Sequence, residues 1–345
     1  MAPFALFTFL SSLALGTTMT LMSHHWILAW IGLEINTLAI IPLMTSTPHP
    51  RAIEAATKYF LTQAAASAII VFTALINTWA FGEWNISSTS SLSAISLTIA
   101  ICMKLGLAPL HFWMPEVLQG IPLMTGLILS TWQKIAPMAL LVQISNMTNL
   151  TLTTAIAITS IIIGGWGGIN QTQLRKIMAF SSIGHLGWMI VILKMNPSLT
   201  LFNFFIYIIM TSAMFLTLIA MNTTKISQIS TAWPKTPTLT TLSMLSILSL
   251  GGLPPLTGFA PKLLTSLELT KQNAFTLAGL ILLLSLLALF FYIRLTYTMS
   301  MTMAPNSIIS QTTWRSKLNK SPMVALTNLA TIMLLPMTPT ILLLF

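Results

Sequence analysis

The stretch from Lys104 to Glu116 reads KLGLAPLHFWMPE and places two prolines and three ionisable side chains in an apolar run. A related stretch follows 146 positions later. There, residues 252–264 (GLPPLTGFAPKLL) share six of thirteen positions with residues 106–118. This similarity indicates an internal duplication of the chain.

Both copies carry prolines, and a proline inside a helix leaves the carbonyl four residues earlier without its donor. Pro109 would free the carbonyl of Leu105. The Pro254–Pro255 pair would free those of Leu250 and Gly251. Open backbone at membrane depth must be buried in protein or line a wet cavity. Two broken helices at matching places are typical of transporters with repeated halves. A pair of packing kinks without a transport role is the alternative.

The composition is that of an integral membrane protein. Of 345 residues, 55% are apolar and 6% are charged, against roughly 25% charged in soluble domains. The one cysteine, Cys102, excludes an intramolecular disulfide and any four-cysteine metal site within the chain. No glycine-rich nucleotide-binding pattern is present. We therefore expect no cofactor and no metal in this chain.

Runs of about 20 apolar residues predict eleven spanning helices in an all-α fold. They cover residues 3–21, 26–44, 57–80, 92–118, 123–143, 151–171, 176–194, 201–221, 239–264, 274–297 and 324–344. The fourth and ninth are long because a proline-rich stretch interrupts each. Five helices per half predict two repeats of inverted topology in one membrane domain, about 1–145 and about 150–297. Residues 298–345 add a surface loop and a final helix.

In a soluble chain, the net charge of +10 would suggest a nucleic-acid partner. In this membrane protein the basic residues lie mostly in loops, where they set the orientation in the membrane, and we expect no nucleic-acid partner. The loops on one predicted side carry Arg51, Arg175, Lys176, Lys225, Lys235, Arg315, Lys317 and Lys320. The other side has little beyond Lys194 and Lys271. Positive loops stay inside, which puts the N-terminus on the inner side and the C-terminus opposite.

Five ionisable residues lie well inside predicted helices: Glu34, Lys104, Lys134, His185 and Lys262. His111 and Glu116 lie just past the first break and are possible additions. Burying such a group costs about 2.5–3.5 kcal/mol on insertion scales, which indicates a pathway or mutual pairing. Structural pairing without transport is the alternative. The remaining glutamates are expected in ordinary places, with Glu54 paired to Lys58 at a helix end and Glu83 and Glu268 in loops.

A buried carboxylate and a buried lysine can act together as a proton switch. Burial disfavours the charged form of each group and a nearby opposite charge favours it, so making or breaking the pair takes up or releases a proton. Glu34 with Lys104 is the candidate pair of the first repeat. His185 occupies the corresponding helix of the second repeat, and histidine titrates nearest to neutral pH unaided.

Four stretches resemble the chain 2 family of mitochondrial NADH:ubiquinone oxidoreductase, an antiporter-like membrane subunit of respiratory complex I. They are WIGLEIN at 30–36, RAIEAATKYFL at 51–61, KLG at 104–106 and LRKIMAFSSIGH at 174–185. The resemblance covers nearly the whole chain. It implies that Glu34, Lys104, Lys134 and Lys262 belong to the family's proton path, with His185 as the relay of the second repeat. Wider relatives can carry glutamate at the position of Lys262.

The resemblance also implies a location and partners. The chain would lie in the mitochondrial inner membrane, with its N-terminus in the matrix and its C-terminus in the intermembrane space. Its partners would be other membrane subunits of complex I, including neighbouring antiporter-like subunits, and a bilayer containing anionic phospholipid. NADH, flavin, iron–sulfur clusters and ubiquinone would belong to partner subunits.

Three functional hypotheses follow. The first is a proton-translocating subunit of a redox-driven pump, an enzyme only as part of that assembly. The second is a free-standing cation/proton antiporter subunit, and the third is a structural membrane scaffold. The first two need the same buried lysines, so composition does not separate them. The resemblance over residues 174–185 favours the first.

Overall fold

The computed structural model describes residues 3–86, 88–301 and 321–343. In these ranges the chain is helical, with no β-strand and two isolated β-bridges. The first eight helices are α1 (Pro3–Met22), α2 (Trp26–Met44), α3 (Pro50–Phe81), α4 (Ser91–Leu105), α5 (Trp113–Gly120), α6 (Leu123–Ser130), α7 (Ile135–Gln143) and α8 (Leu150–Ile169). The others are α9 (Leu174–Ile192), α10 (Pro197–Met221), α11 (Ile226–Ser230), α12 (Pro237–Gly251), α13 (Phe259–Lys271), α14 (Phe275–Met301), α15 (Pro322–Met333) and α16 (Thr338–Leu342). Most of the predicted surface loop, with Arg315, Lys317 and Lys320, lies outside the described residues.

Among the described residues, six helices are long and apolar enough to cross a membrane: α1, α2, α3, α8, α10 and α14. Shorter apolar helices lie at Leu92–Leu105, Pro237–Gly251 and Pro322–Met333. About 20 residues are needed to cross the hydrocarbon core. The predicted class, an all-helical membrane protein, is confirmed.

Contacts divide the chain into two compact units. The first contains the residues up to Ser160 together with Leu193–Pro197. The second contains Ile161–Ile192 and the chain from Ser198 onward.

In the first unit, α4 ends at a glycine. Gly106 adopts a left-handed conformation, with φ 77°, which costs a residue with a Cβ about 1–2 kcal/mol. The amides of Gly106 and Leu107 donate to the carbonyls of Met103 and Cys102 at 3.1 and 3.0 Å, a Schellman end. The break is where the prolines predicted it, but the glycine ends the helix three residues before Pro109.

In the second unit, α12 ends in the same way. Gly252 has φ 74°, and the amides of Gly252 and Leu253 donate to Ser249 and Leu248 at 2.9 and 3.4 Å. Each break also contains a cis proline, Pro109 in the first unit and Pro255 in the second. The glycines and the cis prolines are both 146 positions apart.

Each unit also contains a helix crossing built on glycines. In the first, α1 crosses α2 so closely that a Cβ on Gly16 or on Gly32 would lie 2.9 Å from the carbonyl oxygen of the other. In the second, a Cβ on Gly164 of α8 would lie 2.7 Å from the backbone nitrogen of Gly184 in α9. Glu34 follows Gly32 by two residues, and His185 follows Gly184 by one.

Candidate functional site

Two of the predicted lysines of the first unit line one cavity. Lys104 lies in the last turn of α4 and is 6% exposed, and Lys134 is 3% exposed. The cavity measures about 20 Å³. Its other lining residues are Leu33, Asn36, Thr37, Tyr59, Gln63, Leu105, Trp113, Leu129, Gln133 and Pro137. Two buried lysines and several neutral polar side chains therefore line the same small cavity.

Lys134 lies in a 3₁₀ turn, Trp132–Lys134, that separates α6 from α7. The segment predicted near 123–143 is therefore made of two α-helices joined by this turn. Pro137 is the third residue of α7 and cannot donate to the carbonyl of Gln133, so an unbroken α-helix would lose that hydrogen bond. Turns of this kind inside a helical run often mark functional positions.

Glu34 of α2 lies near Lys104 without touching it. Its carboxylate is within electrostatic range of both the Lys104 ammonium and the Tyr59 hydroxyl. Ion pairs with N–O distances up to 4.0 Å join Lys58 to Glu54 and Glu116, and Lys271 to Glu268. The Lys104 Nζ and the Glu34 Oε2 are buried without a hydrogen-bond partner. The predicted ion pair between Glu34 and Lys104 is therefore not made in this structure.

The second unit brings His185 and Lys262 together. Both line a cavity of about 20 Å³ with Tyr292 and a second cavity of about 10 Å³ with Asn203 and Tyr207. The Tyr292 hydroxyl lies 3.5 Å from the His185 Nε2. The imidazole ring centre is 5.8 Å from that of Tyr207.

The Lys262 ammonium binds the broken helix directly. Its Nζ donates to the carbonyl of Gly251 at 2.6 Å, where α12 ends. This is one of the carbonyls that the Pro254–Pro255 pair was predicted to free. The freed oxygen is therefore satisfied by the predicted lysine, and a cation at a helix C-terminus is also favoured by the helix dipole.

The two additional candidates do not line the Lys104 cavity. His111 is buried, and its Nδ1 lies 3.2 Å from the carbonyl oxygen of Pro109 within its own loop. The side chain of Glu116 is 53% exposed and forms an ion pair with Lys58 at 2.7 Å. Lys58 also contacts Glu54 at 2.7 Å, as predicted. Sequence reasoning missed the Glu116 contact because it joins α3 to α5.

The expectation that Glu268 lies in a loop is wrong. The residue is part of α13, which extends to Lys271, and its carboxylate lies 3.7 Å from the Lys271 ammonium. The prediction ended this helix at residue 264, although neither glycine nor proline occurs between there and Lys271.

Sequence reasoning also missed polar side chains in apolar helices. Asn36, Gln63 and Asn203 are buried, and Gln133 lines the Lys104 cavity. Only ionisable groups were considered, whereas neutral amides also need partners inside a membrane and were visible in the sequence.

Arg294 was missed too. It lies inside α14 and donates through two nitrogens to the carbonyls of Ile169 and Gln171, at the end of α8.

Among the described residues, no group of three or more His, Cys, Asp or Glu side chains could hold a metal ion.

Two family profiles match the chain. The profile described as "NADH:quinone oxidoreductase/Mrp antiporter, TM" matches residues 23–288. The profile "NADH dehydrogenase subunit 2 C-terminus" matches residues 289–342. Together they cover nearly the whole chain.

Curated relatives are similar over at least nine-tenths of their length. The "NADH-ubiquinone oxidoreductase chain 2" of Aquarana catesbeiana is 66% identical over 100% of both chains. The protein of the same name from Xenopus laevis is 58% identical over 91% of this chain and 92% of the relative. The protein of the same name from Latimeria chalumnae is 54% identical over 99% of this chain and 98% of the relative.

Solved structures share the fold. A chain of "Respiratory complex I from Thermus thermophilus with bound Aureothin" has a TM-score of 0.88 and 25% identity, covering 99% of this chain and 80% of that one. A chain from the Mrp complex of Dietzia sp. DQ12-45-1b has a TM-score of 0.80 and 15% identity, covering 96% and 74%. The second likeness concerns the fold alone. On the profile matches and the curated identities, the chain belongs to the NADH:quinone oxidoreductase/Mrp antiporter family, in its NADH-ubiquinone oxidoreductase chain 2 branch.

Proposed function

We propose that the chain is a proton-translocating membrane subunit of respiratory complex I. NADH oxidation and ubiquinone reduction take place in other subunits, which hold the flavin and the iron–sulfur clusters. The observation that carries this proposal is the pair of buried lysines, Lys104 and Lys134, facing one polar cavity within electrostatic range of Glu34. A membrane scaffold has no need of two buried lysines lining one cavity, because burying each costs about 2.5–3.5 kcal/mol on insertion scales.

The proton path uses Glu34, Lys104 and Lys134 in the first unit and His185 and Lys262 in the second. Each group can hold or release a proton, and moving one charge changes the proton affinity of its neighbour. Two unit charges 6 Å apart interact by roughly 3 kcal/mol at an effective dielectric constant near 20. The chain can therefore pass on a signal that arrives as charge from a neighbouring subunit, without a cofactor of its own.

The topology that fits this function has eleven spanning segments in one domain, as two inverted repeats over about 1–145 and 150–297 with a final helix. The matched left-handed glycines, Gly106 and Gly252, support the duplication. The N-terminus would face the matrix of a mitochondrion and the C-terminus the intermembrane space. Partners would be neighbouring antiporter-like subunits and anionic phospholipid. Protease treatment of tagged termini in mitochondria whose outer membrane has been opened tests the orientation. We expect cleavage of the C-terminal tag and protection of the N-terminal tag; the reverse pattern, or the same result for both tags, would overturn it.

The test is Lys104→Ala in the assembled complex, with Lys271→Ala as the control because the side chain of Lys271 is 73% exposed. We expect Lys104→Ala to lower proton pumping and, through coupling, NADH oxidation, whereas reduction of the iron–sulfur clusters by NADH survives. Lys271→Ala should leave all three unchanged. A Lys104→Ala complex that keeps its full proton-to-electron ratio would make this chain a scaffold.

A free-standing cation/proton antiporter subunit is the second candidate, favoured by the fold shared with a chain of the Mrp complex. Migration on a native gel separates the two. The complex I subunit would run in a megadalton respiratory assembly, and the antiporter subunit in a much smaller complex.

A further inference from the structure

A buried amide of the second unit has no partner in this structure. Asn203 of α10 is 2% exposed, and neither the nitrogen nor the oxygen of its side chain has a hydrogen-bond partner. Buried polar side chains are bonded in the large majority of cases, because an unmade hydrogen bond costs the desolvation of the group. The amide oxygen of Asn203 is therefore an acceptor that needs a donor.

The side chain of Lys262 lines two small cavities of the second unit. The larger, of about 20 Å³, lies against α8, α9 and α14 and is also lined by Leu250 near the end of α12. The smaller, of about 10 Å³, lies between α9, α10 and the start of α13. Asn203, Tyr207 and Met210 line the smaller cavity, and their spacing places them on one face of α10. The unpaired amide and the lysine thus border the same cavity.

The smaller cavity leaves little room for a ligand from outside the chain. Its volume of about 10 Å³ is at the lower limit of the roughly 10–15 Å³ that one water molecule requires. A donor that belongs to the chain itself needs no such space. Lys262 is the lysine among the residues that line this cavity.

The Lys262 ammonium can serve a second acceptor. It carries three donor hydrogens, and its Nζ donates to the carbonyl of Gly251 at 2.6 Å. The end of the side chain passes over Gly252, where an added Cβ would lie 2.8 Å from its Cδ, Cε and Nζ. The lysine stem is flexible, so the ammonium can turn away from Gly251 by rotation about side-chain bonds.

We propose that Asn203 is a second anchor for Lys262, whose ammonium moves between the carbonyl of Gly251 at the end of α12 and the amide oxygen of Asn203 on α10. The two anchors bind the ammonium with different strength, since a helix C-terminus carries a partial negative charge and an amide is neutral overall. His185 lines both cavities and so remains beside the lysine side chain. Asn203 is then a positioning residue for Lys262.

The effect of Asn203 on pumping rests on the proposed function, whereas the second position of Lys262 does not. The first experiment therefore uses density maps of the assembled complex with the natural chain, at rest and during turnover with NADH and ubiquinone. We expect a second Lys262 conformer during turnover, with its Nζ about 2.7–3.2 Å from the Asn203 oxygen. A Lys262 that stays on the Gly251 carbonyl in both maps would overturn the inference.

Two substitutions of Asn203 give opposite results for the position of Lys262. Asn203→Asp adds a carboxylate, which should draw the Lys262 Nζ to within about 4 Å of it even at rest. Asn203→Leu removes the acceptor, and the second conformer should disappear. Proton pumping per electron should fall several-fold in both variants. A lysine that still binds Gly251 alone in Asn203→Asp would show that the two groups do not meet.

Thermal stability separates this role from a structural one. Because the amide makes no hydrogen bond here, Asn203→Leu removes a buried unpaired group and should leave the thermal midpoint of the complex equal or higher. A lower midpoint with pumping unchanged would assign Asn203 to packing and overturn the inference.

Thr211 provides a matched control on the same helix. It is 1% exposed, and its hydroxyl already donates to the carbonyl of Tyr207 at 2.8 Å. Thr211→Val should change neither the position of Lys262 nor proton pumping per electron. Failure of the proposed function looks different, because Lys262 would still reach Asn203 in the maps while Asn203→Leu and Lys104→Ala pumped fully.

Discussion

The two helix breaks share a backbone and differ in their chemistry. Each begins with a left-handed glycine and contains a cis proline at the equivalent position. In the first unit the buried cation, Lys104, precedes the break and its ammonium makes no hydrogen bond. In the second unit the cation, Lys262, follows the break and binds the carbonyl of Gly251. Glu116 is the first-unit equivalent of Lys262, 146 positions earlier, and pairs outward with Lys58.

The breaks also differ in what holds them. In the first, the Trp113 indole nitrogen donates to the carbonyl of Met103 at 3.1 Å, so the two halves of the broken helix contact each other. In the second, Thr257 donates through its hydroxyl at 2.8 Å and its amide at 3.4 Å to the carbonyl of Thr331 in α15. A duplicated backbone can thus keep its turn geometry while its charged groups and the hydrogen bonds that stabilise it diverge.

The largest expected effect concerns the glycine crossings that precede the breaks. Gly164→Ala would place its Cβ 2.7 Å from the Gly184 nitrogen and 2.8 Å from the Gly184 Cα, and backbone cannot move aside cheaply. We expect the free energy of unfolding to fall by about 1–3 kcal/mol, as is typical of overpacking. The measurement is the thermal midpoint of the assembled complex, which should be lower. Gly184→Ala is the control, since nothing lies within 4 Å of its added Cβ. Equal effects of the two variants would contradict this packing.

The next effect separates the two left-handed glycines. Gly106→Ala and Gly252→Ala should each cost about 1–2 kcal/mol because both backbones are left-handed. Only at Gly252 would the new Cβ approach one of the candidate site residues, 2.8 Å from the end of the Lys262 side chain. At Gly106 the nearest atom is a ring carbon of Trp113, at 3.2 Å.

We therefore expect similar losses of thermal stability but a larger loss of proton pumping per electron in Gly252→Ala. An equal loss of proton pumping per electron in the two variants would show that the contact between Lys262 and Gly251 does not contribute to pumping.

The smallest expected effect concerns the side-chain hydrogen bonds that hold the two breaks, from Trp113 to Met103 and from Thr257 to Thr331. Trp113→Phe and Thr257→Val each remove one hydrogen bond, and in both cases the carbonyl keeps a backbone donor. Each should cost roughly 0.5–1.5 kcal/mol, measured as a shift in thermal midpoint. Thr265→Val is the control because the Thr265 hydroxyl bonds only within its own helix, to Lys262. A much larger loss of stability in Thr257→Val would mean that α15 stabilises the second break through more than this one hydrogen bond.

Much of the site was readable from the sequence because ionisable residues are rare in apolar helices. With 6% charged residues, Lys104, Lys134 and Lys262 could be named from burial cost alone. The neutral groups around them, such as Asn36 and Gln133, carry no such signal, since amides also occur at helix ends and in loops. The outward pairing of Glu116 could not be found either, because its partner Lys58 lies 58 positions away.

The sequence by itself determined the membrane class, most helix positions and the location of both breaks, because apolar run length and proline are local properties of the chain. Tertiary structure decided which atoms meet. It left the Lys104 ammonium and the Glu34 carboxylate oxygen Oε2 without a hydrogen-bond partner, gave the Gly251 carbonyl to Lys262, and placed Lys104 and Lys134 on one cavity. These outcomes depend on how closely helices approach one another, and that distance is fixed by glycines such as Gly16 only once the helices are packed.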